Sequence, residues 1–237
     1  MEIREEDLIY KEWRSTGTTW TKYELFEKNG YFVIKNLCDP KTLIDDVPVE
    51  RGTLKWYGNE LSNFKHYEKE DQVEGSIARY LHPKYRKIHS QIRLILEKYI
   101  GRSLYNTYYY DRFYFPGQEL KRHLDRDACE VSVSVHIGSN IERDWPFFIK
   151  TPDGFKDSTK KDLLYYGDEV SVNLKPGDGI VYKGCERPHW RNKMPGILNK
   201  FVNSKIKNVD ELYYHQIFFH YVLQDGYRAN FAYDRSS

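Results

Sequence analysis

The sequence is poor in cysteine, in long apolar runs and in excess charge of either sign. Its three cysteines, Cys38, Cys129 and Cys185, are odd in number, lie far apart and include no Cys-x-x-Cys pair. This spacing supports neither a disulfide framework nor a zinc knuckle. We therefore expect free thiols in a reducing compartment, the cytoplasm, with Cys129 and Cys185 as ordinary core residues.

Charge and hydropathy argue against a nucleic-acid-binding protein and against a secreted or membrane-spanning one. The chain has 37 Lys and Arg against 35 Asp and Glu. It contains no long run of like charges, which is the feature that would indicate a nucleic-acid partner. The opening "MEIREEDLIYKEW" lacks the basic start and apolar centre of a secretory signal. No apolar run approaches the length of a membrane span. We expect neither a nucleic-acid nor a membrane partner.

What is present supports one globular domain over residues 1–237. Hydrophobic residues make up 40% of the chain and aromatic residues 16%, which is enough apolar surface for a packed core. No internal repeat or low-complexity linker divides the chain. We expect residues 1–103 to form a support of helices and strand, and residues 104–226 to form the main β-core.

The N-terminal support contains two predicted helices and one predicted strand. The segment "WTKYELFEKNG" has helical spacing and stops at Gly30, after which "YFVIKNL" has the composition of a strand. An amphipathic helix follows Pro83 and stops at Gly101. Residues 40–75 mix Pro, Gly, Asn and charged residues without a steady period, which predicts loops.

Residues 104–226 consist of aromatic and β-branched runs punctuated by Gly and Pro. Examples are "EVSVSVHIG", "GDGIVYKG" and "LYYHQIFFHYVL". About eight short strands with turn signals between them predict an antiparallel sandwich or barrel. The predicted fold class is α+β, mainly β, with the β-core braced by the N-terminal helices.

Three residues have the types and spacing of a metal site. In "RHLDRD" the side chains of His123 and Asp125 point to one face of an extended segment, and Leu124 points away. Downstream, His189 follows a Gly-Asp-Gly turn and a short apolar strand. Two His and one carboxylate form the facial triad of non-haem Fe(II) oxygenases, which leaves about three positions for a keto-acid and O2. Alone, His-x-Asp is short enough to arise by chance, and solvated loop residues are the alternative.

The order of several segments adds to this short motif. "ELFEKNGYFVIKNL", "YFPGQELKRHLD", "CEVSVSVHIG", "PGDGIVYKGCERPHW" and "HQIFFHYV" together resemble the 2-oxoglutarate and Fe(II)-dependent dioxygenases, in the prolyl 4-hydroxylase-like branch, over roughly residues 20–226. The resemblance implies a double-stranded β-helix, the jelly-roll or cupin-like fold. It also implies that His123, Asp125 and His189 are the catalytic metal ligands.

The same resemblance implies the reaction and its cofactors. These are Fe(II), 2-oxoglutarate as co-substrate and O2, with ascorbate as an optional reductant. Succinate and CO2 are released as an unactivated C–H bond is hydroxylated. The substrate is a prolyl, another amino-acid or peptidyl group, or another small molecule, because fold-level analogy does not transmit substrate identity.

The far carboxylate of 2-oxoglutarate requires a basic partner. The family usually supplies Arg or Lys about ten residues after the distal His, but Asn199 occupies that offset here and Lys200 comes one later. Arg191 is the preferred candidate, since it points to the same face as His189. Tyr114 and His136 are further cofactor-binding candidates. The alternatives are a surface arginine at a strand end and an aromatic residue of the barrel wall.

Other features leave alternatives open. His215 and His220 fall on opposite faces of the closing strand and are interpreted as structural or substrate-lining. Loops at 51–75, 144–168 and 194–212 are hypothesised to form the substrate mouth. A non-catalytic β-barrel that binds a metal or ligand is the second functional hypothesis, and an interaction protein with coincidental His and Asp residues is the third.

Overall fold

The computed structural model describes residues 22–48, 51–61, 72–151, 167–196 and 212–234. The α-helices within these ranges are α1 (Lys22–Asn29) and α2 (Arg86–Ile100). Each ends at the predicted glycine in the left-handed region, since φ is +74° at Gly30 and +73° at Gly101. Both helix stops are therefore confirmed. No helix of the described residues is long and apolar enough to cross a membrane.

In the described part of the chain, twelve strands form two sheets. The strands are β1 (Tyr31–Ile34), β2 (Gly52–Tyr57), β3 (Glu60–Leu61), β4 (Ile77–Tyr80), β5 (Leu104–Tyr114), β6 (Leu120–His123), β7 (Val131–Ser139), β8 (Phe147–Lys150), β9 (Glu169–Val172), β10 (Gly179–Tyr182), β11 (His189–Arg191) and β12 (Tyr214–Leu223). The large sheet has the order β1-β10-β7-β12-β5-β4-β2-β3, and the small sheet has the order β6-β11-β8-β9. Strands β5 to β12 match the eight strands predicted from residue 104 onward.

Strand β7 shows how the sequence pattern orients the large sheet. Val131, Val133 and Val135 pack in a hydrophobic cluster with α2 on the outer face of this sheet. The alternating Ser132 and Ser134 are also buried, but they point toward the small sheet. The strict period of two therefore gives β7 one apolar face against the helix and one polar face inside the barrel.

The prediction of loops over residues 40–75 was wrong for β2 and β3. Strand β2 pairs in parallel with β4, and β3 pairs with β2 at the edge of the large sheet. The segment "GTLKWY" is only partly buried, so its strand character comes from pairing and not from an alternating apolar pattern. Strand β1 also joins the large sheet by pairing with β10. The N-terminal part thus extends the same sheet that carries the β-core.

Candidate metal centre

The structure brings together His123, Asp125 and His189. His123 ends β6, His189 begins β11, and their Cα atoms are direct partners in the antiparallel pair. The Oδ1 atom of Asp125 lies 3.4 Å from His123 Nε2 and 3.5 Å from His189 Nε2. One potential ligand atom from each of the three residues lies within 4.8 Å of the others.

Both imidazole rings are held in the orientation that a metal ligand needs. His123 Nδ1 donates to the carbonyl oxygen of Lys121 at 2.8 Å, and His189 Nδ1 donates to that of Arg187 at 2.9 Å. Each Nε2 therefore carries a lone pair toward Asp125. The amide of Gln72 donates to His123 Nε2 at 3.0 Å, so Gln72 occupies the direction that a metal bond to His123 would take.

Asp125 is an ionised carboxylate between these rings. Burial alone would raise its pKa, but the neighbouring His189 and His123 side chains hold the pKa well below its usual range. Its backbone N–H donates to the carbonyl oxygen of Gly184 at 2.9 Å. Its second oxygen, Oδ2, accepts a hydrogen bond from Ser132 at 3.1 Å.

This donor set fits a divalent transition metal. Bonds of about 2.1 Å at right angles place neighbouring donor atoms about 3 Å apart, and the two distances from Asp125 Oδ1 to the imidazole nitrogens, 3.4 and 3.5 Å, are close to that spacing. Two neutral imidazoles and one carboxylate on one side of an ion leave its other positions open.

The cysteines are free thiols and all three are buried. A second possible donor group, Asp125, Cys129 and His220, shares its carboxylate with the first.

Gly184 leaves the space that Asp125 occupies. A Cβ added at Gly184 would lie 2.4 Å from Asp125 Oδ2, 2.5 Å from Ser132 Oγ and 2.5 Å from the carbonyl oxygen of Cys129. The first atom is an oxygen of the carboxylate itself, the second is the hydroxyl that donates a hydrogen bond to it, and the third is backbone. A glycine is therefore required beside Asp125 for steric reasons.

We expect Gly184→Ala to weaken binding of Fe(II) by about 10- to 100-fold, the range found when the support of a metal ligand is lost. The added methyl group would displace the carboxylate from the two imidazoles. Anaerobic titration with Fe(II) would measure the dissociation constant, and Gly138→Ala is a suitable control because its Cβ would meet only the end of the flexible Ile44 side chain, at 3.3 Å. Unchanged Fe(II) affinity in Gly184→Ala would contradict this account of the site.

Arg191 extends the site along β11. It lies two residues after His189 on the same face and is 1% exposed, whereas Trp190 stacks on Phe148 at the other face. The Arg191 guanidinium donates to the carbonyl oxygen of Trp145 and, at 3.2 Å, to the hydroxyl of Tyr214. Its Nε has no hydrogen-bond partner in the described part of the chain.

No carboxylate of the described residues lies within ion-pair distance of Arg191, and a buried guanidinium without an anion is energetically costly. Within the described ranges, the charge of Arg191 next to the three metal-ligand candidates is therefore not compensated by a carboxylate.

The two other predicted co-substrate residues also have unpartnered polar atoms. Tyr114 is fully buried, packs its ring against Trp145 at 5.0 Å, and has a hydroxyl without a partner among the described residues. His136 donates Nδ1–H to the carbonyl oxygen of Leu174 at 2.8 Å, and burial lowers its pKa to about 4. The neutral ring thus offers only a hydrogen-bond acceptor at Nε2. This atom can bind a ligand's hydrogen-bond donor, but it cannot donate to a carboxylate.

Gln216 was missed at the sequence level. It lies on β12 directly opposite His136 of β7 and Arg112 of β5. The side chain is 0% exposed, and neither its amide nitrogen nor its oxygen has a partner among the described residues. Its place in "YHQIFF", as a polar residue among apolar ones on a central strand, was the signal available. A buried side-chain amide normally has hydrogen-bond partners, so Gln216 offers both a donor and an acceptor to a polar ligand.

Some predicted residues lie outside the described part of the chain. They are Asn199, Lys200 and most of the hypothesised mouth loops, including residues 62–71, 152–166 and 197–211. The segment "PFFIK", which also has the composition of a strand, lies inside the range 144–168 and forms strand β8 (Phe147–Lys150), which pairs with both β9 and β11. His215 and His220 lie on opposite faces of β12 as predicted, since His215 stacks on Phe113 and His220 stacks on Tyr108.

Comparison with known proteins gives similarity at the level of structure. No family model and no curated protein sequence matches the chain. Among solved structures, an oxidoreductase of the 2OG-Fe(II) oxygenase family from Burkholderia pseudomallei is similar with a TM-score of 0.51, 12% identity, and coverage of 91% of this chain and 93% of that one.

Two similar structures come from nogalamycin biosynthesis. The non-heme alpha ketoglutarate dependent epimerase SnoN has a TM-score of 0.51 at 10% identity over 82% of this chain and 77% of its own. The corresponding carbocyclase SnoK has a TM-score of 0.50 at 11% identity over 87% and 86%. The chain therefore has the jelly-roll fold of 2-oxoglutarate oxygenases, and the predicted α+β, mainly β class is confirmed.

Proposed function

We propose that the protein is a 2-oxoglutarate and Fe(II)-dependent oxygenase. His123, Asp125 and His189 would hold the metal, and Arg191 would bind the far carboxylate of the co-substrate. When bound, Fe(II) with 2-oxoglutarate and O2 supplies the oxidising power for attack on an unactivated C–H bond, with succinate and CO2 released.

The observation that carries this proposal is the position of Arg191 relative to the three metal-ligand candidates. A site for a metal alone would need the triad only. Here a buried guanidinium without a carboxylate partner in the described residues lies two residues from His189 and points to the same interior. An anion with one end near the metal and a carboxylate at the other end satisfies both requirements. 2-Oxoglutarate has this chemistry.

The chain's own residues would divide the work of the site. Arg191 and the Tyr114 hydroxyl would bind the carboxylate, and the amide of Gln216 supplies a further donor from β12. Phe147 and Trp145, which contact the Arg191 guanidinium, would exclude water from this end of the pocket. His136 is left out of the carboxylate anchor because its neutral ring has an acceptor, not a donor, toward the interior.

The substrate is less constrained than the co-substrate. Gln72, from the segment predicted as a mouth loop, contacts His123 and accepts a hydrogen bond from Arg112 at 2.8 Å. This contact supports a substrate entrance on that side of the metal. Prolyl and other amino-acid or peptidyl groups, as well as small molecules, remain the proposed substrate classes, and assignment to the prolyl 4-hydroxylase-like branch is part of this proposal.

Anaerobic loading with Fe(II) and 2-oxoglutarate tests the function directly. We expect a visible charge-transfer absorption that needs both components, and succinate formation when O2 is admitted. The His123→Ala variant is the control, because it removes one ligand candidate. Succinate at or below the level of this variant would reject the oxygenase and favour the second hypothesis, a non-catalytic β-barrel that binds a metal or ligand.

A further inference from the structure

Ser132, on strand β7, contacts Asp125 of the candidate metal centre from inside the barrel. Its Oγ is 3.1 Å from Asp125 Oδ2, 3.2 Å from the carbonyl oxygen of Cys129 and 3.0 Å from His220 Nδ1. The side chain is 0% exposed, so bulk solvent does not reach these contacts. Three potential partners thus surround one hydroxyl group.

A serine hydroxyl has one hydrogen to donate, which restricts the arrangement. The ionised Asp125 is the strongest of the available acceptors, because hydrogen bonds to a charged oxygen are roughly twice as strong as neutral ones. With the hydroxyl hydrogen directed to Asp125, the contact with His220 requires His220 Nδ1 to be the donor. The hydrogen bonds then run in one direction, from His220 to Ser132 to Asp125.

The surroundings of His220 are consistent with this direction. Burial lowers its pKa to about 3, so the ring is neutral and carries one hydrogen. It is stacked on Tyr108 with ring centroids 4.5 Å apart, which fixes the plane of the imidazole. Its Nε2 has no hydrogen-bond partner among the described residues. A hydrogen on Nδ1 is therefore the one that can be used.

The two oxygens of Asp125 consequently face different groups. Oδ1 faces the Nε2 atoms of His123 and His189, while Oδ2 faces Ser132. A carboxylate whose second oxygen is engaged in this way binds a metal through one oxygen. A free carboxylate can rotate and bind through both, which would take one of the positions needed by the co-substrate and O2.

We propose that Ser132 and His220 are positioning residues that hold Asp125 as a one-oxygen metal ligand. The inference rests on the proposed metal site, but it does not require turnover. His220 acts through Ser132, and neither residue would touch the metal. The possible donor group of Asp125, Cys129 and His220 is then explained as support for Asp125 and not as a second metal site.

Cobalt(II) is a suitable probe because its absorption reports both affinity and coordination number. We expect Ser132→Ala to weaken cobalt(II) binding by about 10- to 100-fold, the range typical of such supporting hydrogen bonds, and to shift the absorption toward a higher coordination number. Ser134→Ala is the matched control, since Ser134 is buried on the same face of β7 but contacts the hydroxyl of Tyr182 instead of Asp125. It should bind cobalt(II) like the wild type.

Two variants of His220 test its part separately from the stability of the fold. His220→Asn keeps an N–H near the place of Nδ1 and should retain most of the affinity, whereas His220→Leu removes the donor and should lose affinity as Ser132→Ala does. Urea unfolding of the metal-free proteins would show that any loss is not a general loss of folding.

Equal cobalt(II) affinity in His220→Asn and His220→Leu would overturn the role of His220, and a wild-type spectrum and affinity in Ser132→Ala would overturn the whole inference. Tight cobalt(II) binding without succinate formation by the iron-loaded wild type would reject the oxygenase function while leaving this inference intact.

Discussion

Replacing Arg191 by methionine should weaken 2-oxoglutarate binding by about 100- to 4,000-fold while Fe(II) binding stays close to the wild-type value. Breaking a buried ion pair by removing one partner costs about 3–5 kcal/mol, and each 1.4 kcal/mol is a factor of ten in affinity. Arg191 is 1% exposed, so water cannot replace the guanidinium at the carboxylate. The three metal-ligand candidates are untouched by the substitution.

The measurement is a pair of anaerobic titrations, first with Fe(II) alone and then with 2-oxoglutarate on the iron-loaded protein. Arg122→Met is the matched control, because Arg122 lies over the Trp190 ring at 3.9 Å and thus on the outer face of the same small sheet. It should leave both affinities unchanged. If Lys200→Ala lowers 2-oxoglutarate affinity and Arg191→Met does not, the anchor is at the position usual for the family and Arg191 is structural.

A second large effect is expected at Asp111, on the outer face of the large sheet. Asp111 is 0% exposed and accepts hydrogen bonds from Arg79 Nε at 3.0 Å, from the hydroxyl of Tyr85 at 3.1 Å and from His215 Nε2 at 2.7 Å. Burial lowers the pKa of His215, so this ring is a neutral donor and Arg79 is the cation that compensates the carboxylate. Asp45 also contacts Arg79, but it is partly exposed.

We expect Asp111→Asn to lower the free energy of unfolding by about 3–5 kcal/mol, since it leaves the guanidinium of Arg79 buried without its main anion. Urea unfolding monitored by circular dichroism would measure the change. Asp225→Asn, which removes an exposed partner of Arg102, is the control and should have little effect. A wild-type unfolding midpoint in Asp111→Asn would show that the buried ion pair contributes nothing.

The same carboxylate predicts how stability depends on pH. Burial would raise the pKa of Asp111, but hydrogen bonds from His215 and Arg79 and the Arg79 charge hold it at about 2. A folded-state pKa below the unfolded value means that the contribution is complete above about pH 4 and is lost as pH falls toward 2. The wild type should therefore lose stability over this range, and Asp111→Asn should lose less. Equal slopes for both proteins would contradict the assignment.

The sequence predicted most of the local structure for identifiable reasons. A glycine in the left-handed region ends a helix whatever surrounds it, so the ends of α1 and α2 were readable at Gly30 and Gly101. Strict alternation in "VSVSVHIG" gave β7 its two faces. Strands β2 and β3 could not be predicted from the sequence. They lie at the edge of the large sheet, where β2 pairs with β4 and β3 pairs with β2, and little of their apolar surface is buried.

The candidate site also has features that local spacing predicts and features that depend on tertiary contacts. By itself the sequence determined that His123 and Asp125 share a face, and that Arg191 shares one with His189, because spacing of two in an extended chain is a local rule. Only the tertiary structure decided that β6 and β11 are neighbours and that Gln216 is buried without a hydrogen-bond partner among the described residues.

Likewise, the fold alone places Ser132, His220 and Gly184 around Asp125. These contacts join residues far apart in the chain through strand register and close packing. The amino-acid pattern encodes which face a side chain occupies, and the pairing of distant strands decides what it meets there.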